Sequence, residues 1–169
     1  MAMVLETMDD LLIDQLRDLY SAETQLEVAL PVLIDEMTSP LIRASFEQRF
    51  EETEHQILRL QEVFAALGAT ARGPRCLGMA GLLQETEDCL RIAGDDGIRE
   101  TLAISCLRRV KHYEIAAYSA ARSYATRLDQ GRTAALMAIS LSEEISADTA
   151  LARLLELDLK HDPVPAGAP

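Results

Sequence analysis

Between Leu12 and Met37 the chain sets Leu12, Leu16, Leu19, Glu23, Leu26, Leu30, Leu33 and Met37 at alternating steps of four and three. That spacing keeps one face of an α-helix turned the same way, so the eight positions form a single seam. Seven are large and apolar, and the eighth, in the middle, is a glutamate. A leucine seam must be buried against other elements. A carboxylate inside it is costly unless something compensates it. Either the helix tolerates an error at Glu23, or something positive sits opposite.

The rest of the chain supplies helices to pack against this one. With 169 residues it is long enough for one domain with a sizeable core. Aromatic residues are only 4% against 49% apolar overall, so Leu and Ala carry the core. β-Branched runs with period-two alternation are absent. A net charge of −12 argues against contact with a nucleic-acid backbone or an anionic membrane surface, both of which call for clustered Lys and Arg. No apolar run reaches the ~18 residues of a membrane span. The acidic N-terminus does not read as a signal peptide. Cys76, Cys89 and Cys106 are an odd number without metal-site spacing, which reads as buried free thiols in a reducing cytoplasm.

Helix boundaries follow from the punctuation. The first long helix is expected from about Leu5 to Met37, kinked at Pro31. Thr38-Ser39-Pro40 reads as a stop, a hydroxyl N-cap and a proline start for the second helix, which reaches Leu67 and the C-cap Gly68. A linker over Ala69 to Arg75 precedes a shorter helix, about Leu77 to Ala93. The third long helix is expected over Asp96 to Leu128. After the turn Asp129-Gln130-Gly131 the fourth runs back over Arg132 to Lys160. The expected fold is all-α: a four-helix bundle over residues 1–161, with the shorter helix in the crossover between the second and third long helices, and a disordered, proline-bearing tail over 162–169.

Each long helix breaks its apolar seam near the midpoint. Glu23 breaks the first, Glu52 and Gln56 the second, Glu114 the third, and Glu144 with Asp148 the fourth. Helices of similar length packed up and down share a mid-height whichever way they point, so these interruptions are expected to meet in one layer. Several carboxylates in one interior raise each other's pKa or need cations. Hard oxygen ligands projecting from four helices are how dinuclear iron or manganese centres are built, so Glu23, Glu52, Gln56, Glu114, Glu144 and Asp148 are candidate metal ligands. The alternative is a metal-free polar core held by the guanidinium of Arg49, on the same seam, pairing with Glu23 or Glu52.

The histidines add little to the metal reading. Glu52-Thr53-Glu54-His55 matches a Glu-x-x-His ligand motif, but the helical phase turns His55 away from the apolar side, making it a weaker candidate than Gln56. His112 falls on the side of its helix away from Glu114, and His161 lies at the C-terminal end. Tyr20, Tyr113 and Tyr118 sit within a turn of Glu23 or Glu114 and can hydrogen-bond those carboxylates. No nucleophile–base set or phosphate-cradling glycine loop is present. Off-seam apolar residues Leu11, Ile13, Val28 and Val32 exceed what one bundle core buries, which leads us to expect a symmetric homodimer.

Four stretches together carry a family resemblance: Asp18-Leu-Tyr-Ser-Ala-Glu-Thr-Gln-Leu26, Glu51-Glu-Thr-x-x-Gln-x-x-Arg-Leu60, His112-Tyr-Glu-Ile-Ala-Ala-Tyr118 and Glu143-Glu-x-x-x-Asp148. The sequence resembles the YciF-type family of bacterial stress proteins over about Leu5 to Leu155. The resemblance implies a ferritin-like, rubrerythrin-like bundle, usually dimeric and associated with stress responses. On matching positions it points to Glu23, Glu52, Glu114, Glu144 and Asp148. Ferritin-like di-iron sites normally carry two histidines, where this sequence has Gln56 and Asp148. Two readings of function remain: a dinuclear iron or manganese protein, or a metal-free, dimeric stress protein whose polar layer is structural.

Overall fold

A computed structural model describes residues 4–161, with side chains to residue 157. The expected tail over 162–169 and the side chain of His161 lie outside the described residues. Five helices follow one another: α1 (Met8–Asp35), α2 (Pro40–Leu67), α3 (Leu77–Ile92), α4 (Asp96–Arg127) and α5 (Gly131–His161). None is long and apolar enough to cross a membrane among the described residues.

The local chemistry at the helix ends accounts for the boundaries. α1 starts later than the seam suggests because Thr7 and Asp10 form a capping box. The Thr7 hydroxyl accepts from the Asp10 N–H at 3.1 Å, and the Asp10 carboxylate accepts from the Thr7 N–H at 2.9 Å. The helix continues through the exposed Pro31 and ends at Asp35, short of Met37. Ser39 occupies the N-cap position of α2 as expected, but its hydroxyl caps nothing. The turn is held from outside instead: the buried Glu100 of α4 accepts from the Thr38 and Ser39 N–H groups, each at 2.6 Å, and from the Thr38 hydroxyl at 3.0 Å. Gly68 closes α2 in the left-handed conformation, φ 62°. Asp95 caps α4 through the Ile98 N–H at 2.9 Å.

The core divides into two apolar clusters. One gathers Leu26, Leu30 and Leu33 of α1, Ile42 and Phe46 of α2, Ile104 and Leu107 of α4, and Leu151 and Leu154 of α5, with Met79 and Leu90 of α3. The other gathers Leu12, Leu16 and Leu19, then Leu60 and Val63, Ala121 and Ala125, and Met137 and Leu141. The C-terminal halves of α1 and α5 thus meet the N-terminal halves of α2 and α4. Accordingly α2 runs parallel to α4, and both run antiparallel to α1 and α5. α3 bridges the ends as the crossover and packs on α4 and α1. Glu23, Thr53, Gln56, Lys111, Glu114 and Glu144 are buried between the two clusters. The expected mid-height polar layer exists.

The Glu100 contact yields a first test. Replacing Glu100 by Ala removes a charged acceptor from two backbone N–H groups, which should cost about 1.5–3 kcal/mol in urea unfolding. A loss below ~0.5 kcal/mol would mean that water replaces the carboxylate there.

Candidate functional site

Five residues form the centre of the layer. Glu23, Gln56, Lys111, Glu114 and Glu144 are all fully buried. Lys111 lies one helical turn before Glu114 on α4, so both point to the same side. Its ammonium sits 2.6 Å from Glu114 Oε2 and 2.8 Å from Glu144 Oε2 on α5. Glu144 Oε1 accepts from Gln56 Nε2 at 2.6 Å, which ties α5 to α2. Across the layer, the Tyr118 hydroxyl donates to Glu23 Oε1 at 2.6 Å, which ties α4 to α1.

The charges do not balance if every group is ionised, because one ammonium faces three carboxylates. Burial, then the charge of Glu144, pushes Glu23 up to about 8. Glu114 is raised well above the carboxylate range by the same two causes in the same order. Burial pulls Lys111 down, but the carboxylates of Glu114, Glu144 and Glu23 outweigh it and keep its pKa above that of a free lysine. The Tyr118 hydroxyl is raised by burial and by the Glu23 charge, so it remains a donor. Glu23 and Glu114 lie within hydrogen-bonding reach of each other. Glu23 Oε2 and Glu114 Oε1 meet no donor as long as both groups are carboxylates. Protons on Glu23 and Glu114 convert that repulsion into a hydrogen bond and bring the charge of the layer toward that of the Lys111 ammonium.

Around this centre the charges are paired off. Arg49, buried on α2, grips the half-buried Glu52 with Nε and Nη2, each at 2.9 Å. The alternative partner for Arg49, Glu23, is bound to Tyr118 instead. Arg59 pairs with Glu143, which also accepts from Gln56 Nε2 at 3.2 Å. Asp148, 17% exposed, faces out of the layer, where it accepts from Arg108 Nε at 2.8 Å and lies 3.3 Å from His112 Nε2. Ala147, 1% exposed, takes the inward position on α5. His55 is exposed, as its helical phase implies.

Of the sequence candidates, the structure therefore joins Glu23, Gln56, Glu114 and Glu144, sets Glu52 at the rim, and leaves Asp148 and His55 outside. Tyr113 is engaged elsewhere, donating to Asp18 at 2.5 Å and lying 2.9 Å from the Cys76 thiol. Tyr20 packs edge-on against Phe64.

Lys111 is the residue that sequence reasoning passed over. It was legible in principle: it stands four residues after Leu107 and three before Glu114, on the same stripe. A seam drawn through Leu107, Val110 and Glu114 steps over it.

Residues 7–162 match the domain of unknown function DUF892. The chain belongs to that family. The DUF892 chain is 31% identical over 153 residues to protein YciF of Escherichia coli K12, covering 90% of this chain and 92% of the other. Its fold superposes on the crystal structure of the E. coli stress protein YciF with a TM-score of 0.90 at 29% identity, covering 94% of this chain and all of that one. It also superposes on YcfI from Rhodopseudomonas palustris, with a TM-score of 0.86 at 32% identity over 90% of this chain and 97% of the other. A ferritin-like, diiron-carboxylate protein from Bacillus anthracis shares the fold, with a TM-score of 0.70 at 16% identity over 89% of this chain and 99% of that one. The bundle is therefore ferritin-like.

The donor set does not fit a dinuclear iron or manganese centre. The Lys111 ammonium stands between Glu114 and Glu144, where a bridging cation would be held. Arg49 lies 2.9 Å from each oxygen of Glu52. Among the described residues, no three His, Cys, Asp or Glu side chains converge in a metal-holding group.

The shifted Glu23 makes stability depend on pH in a definite direction. Between about pH 4.5 and about 8 the folded chain holds a proton at Glu23 that the unfolded chain has lost. That contribution is fully present below about 4.5 and disappears as pH rises through about 8, with a slope of at most about 1.4 kcal/mol per pH unit. Glu23→Gln mimics the protonated acid, still accepting from Tyr118 and donating toward Glu114, and does not titrate. Urea unfolding from about pH 5 to about pH 8 should show E23Q gaining on wild type along that slope. A difference that stays flat across this range would mean that Glu23 keeps one protonation state throughout.

Proposed function

We propose that this chain is a metal-free, ferritin-like stress protein in which the Lys111 ammonium takes the place of a central metal. The observation that carries this reading is the position of Lys111, buried between Glu114 and Glu144 at hydrogen-bond distance from both. A fixed internal cation does what a divalent ion does for the carboxylates electrostatically, but it offers no open coordination position and no redox couple. The polar layer is then a structural lock. Function rests on the outer surface of a homodimer, in keeping with Val28 and Val32, which are 73% and 64% exposed on α1. The stress role follows the relatives, among them the E. coli stress protein YciF. A cytoplasmic setting accords with three free thiols.

Lys111→Met tests the reading together with metal response. Removing the ammonium leaves the buried Glu114 and Glu144 without their cation, and should cost about 3–5 kcal/mol at neutral pH. The cost should shrink in acid, where the carboxylates take up protons. Wild type should melt at the same temperature in chelator and in anaerobic Fe²⁺ or Mn²⁺, and should carry no stoichiometric metal when purified without chelator. A metal-dependent rise in Tm of the wild type, as binding to the folded state produces, would restore the dinuclear reading. A monomeric mass by light scattering at micromolar concentration would remove the dimer.

A further inference from the structure

α3 and α4 face each other in antiparallel register, and two contacts set that register. The Cys76 thiol lies 2.9 Å from the Tyr113 hydroxyl, and Arg109 Nη1 lies 2.9 Å from Glu85 Oε1. One turn further along α3 from Glu85 is Cys89, and one turn back along α4 from Arg109 brings the chain to Ser105 and Cys106. That register makes Cys89 and Thr86 of α3 the neighbours of Cys106 across the α3–α4 seam. The two thiols differ in access: Cys106 is buried at 2% exposed, while Cys89 is only partly buried. Both are free. The guanidinium of Arg109, paired with Glu85, provides positive charge near the pair. Cys76, buried as the N-cap of α3 and engaged with Tyr113, is set apart from this arrangement.

We propose that Cys89 and Cys106 are a peroxide-sensitive dithiol that closes into a reversible disulfide, clamping the crossover helix α3 onto α4. Cys89 is the attacking sulfur because it is the one that solvent reaches, and Cys106 is the resolving one. The Cys89 thiolate attacks one oxygen of hydrogen peroxide, the O–O bond breaks, and the departing hydroxide leaves as water with the proton that Cys89 released. Cys89 is then a sulfenic acid. The Cys106 sulfur attacks the Cys89 sulfur, the S–O bond breaks, and the hydroxide leaves as a second water with the Cys106 proton. Two thiols have given up two electrons and two protons, and peroxide has taken both. The bond closes a short loop through Gly94 to Gly97, which restrains the unfolded chain as well as the native one. Thiol reductants reverse it. The proposal is independent of the metal-free reading of the central layer.

The experiment is a thiol count on the full chain, denatured after brief exposure to hydrogen peroxide and quenching. Wild type should fall from three free thiols to one, and recover three with dithiothreitol. Mass spectrometry should show the intact chain lighter by two hydrogen atoms, with Cys106 linked to the peptide bearing Cys89. Trypsin leaves Cys76 and Cys89 on one peptide, so Cys76→Ser resolves the linkage and should still lose two thiols. Cys106→Ser should leave Cys89 as a sulfenic acid that dimedone traps, and Cys89→Ser should keep Cys106 reduced at the same dose. The oxidised wild type should melt several degrees higher than the reduced form. The proposal is overturned if all three thiols survive, if Cys89 gains oxygen while Cys106 remains a thiol, or if the disulfide joins two chains. Cleavage of the wild type at Glu85 and Glu87 separates Cys76 from Cys89, so the linkage is mapped even if a variant fails to fold.

Discussion

The bundle depends on the contact of the Lys111 ammonium with Glu114 and Glu144. Lys111 and Glu114 are one turn apart on α4, so half of the contact comes from the helix itself, whereas Glu144 is the group that brings α5 into place. An ammonium moved from water to a protein interior loses several kcal/mol of hydration, and only close carboxylates recover it. Here they lie at 2.6 and 2.8 Å. If α4 and α5 slid past each other by a turn, the ammonium would face a leucine cluster and Glu144 would lose its cation. The contact therefore sets the register of the two helices as well as holding them.

Protonation completes the arrangement. Three carboxylates and one ammonium cannot share a dry space fully ionised, and the groups that give way are Glu23 and Glu114, both raised by burial and by the charge of Glu144. Tyr118 and Gln56 then act as hydrogen-bond donors that join α1 and α2 to the pair at the centre. Outside this ring, Arg49 with Glu52, Arg59 with Glu143 and Arg108 with Asp148 are each self-neutral pairs. These pairs bring no net charge toward the buried centre.

The helices and the height of the layer are readable in the sequence because both depend on spacing along the chain. The α1 seam from Leu12 to Met37 is buried at every position, including Glu23. Gly68, Asp95 and the turn before Gly131 end and start helices where their local chemistry requires. The N-cap of α2 departs from this rule. Ser39 stands in the right place, yet the acceptor for that turn is Glu100, 61 residues away. A local signal can mark a boundary without revealing what satisfies it.

The middle of α4 marks the limit of a single-stripe reading. α4 packs on α1, α3 and α5, so Val110 and Lys111, adjacent in sequence and about 100° apart around the helix, are both buried. On α5 the inward turn falls to Ala147 and turns Asp148 out toward Arg108. The sequence by itself determined that polar side chains from four helices would meet at one height, because helical period and length suffice for that. Only the tertiary structure decided which cation meets them, which carboxylates carry protons and which acids turn outward. Those outcomes depend on distances and desolvation between residues far apart in the chain.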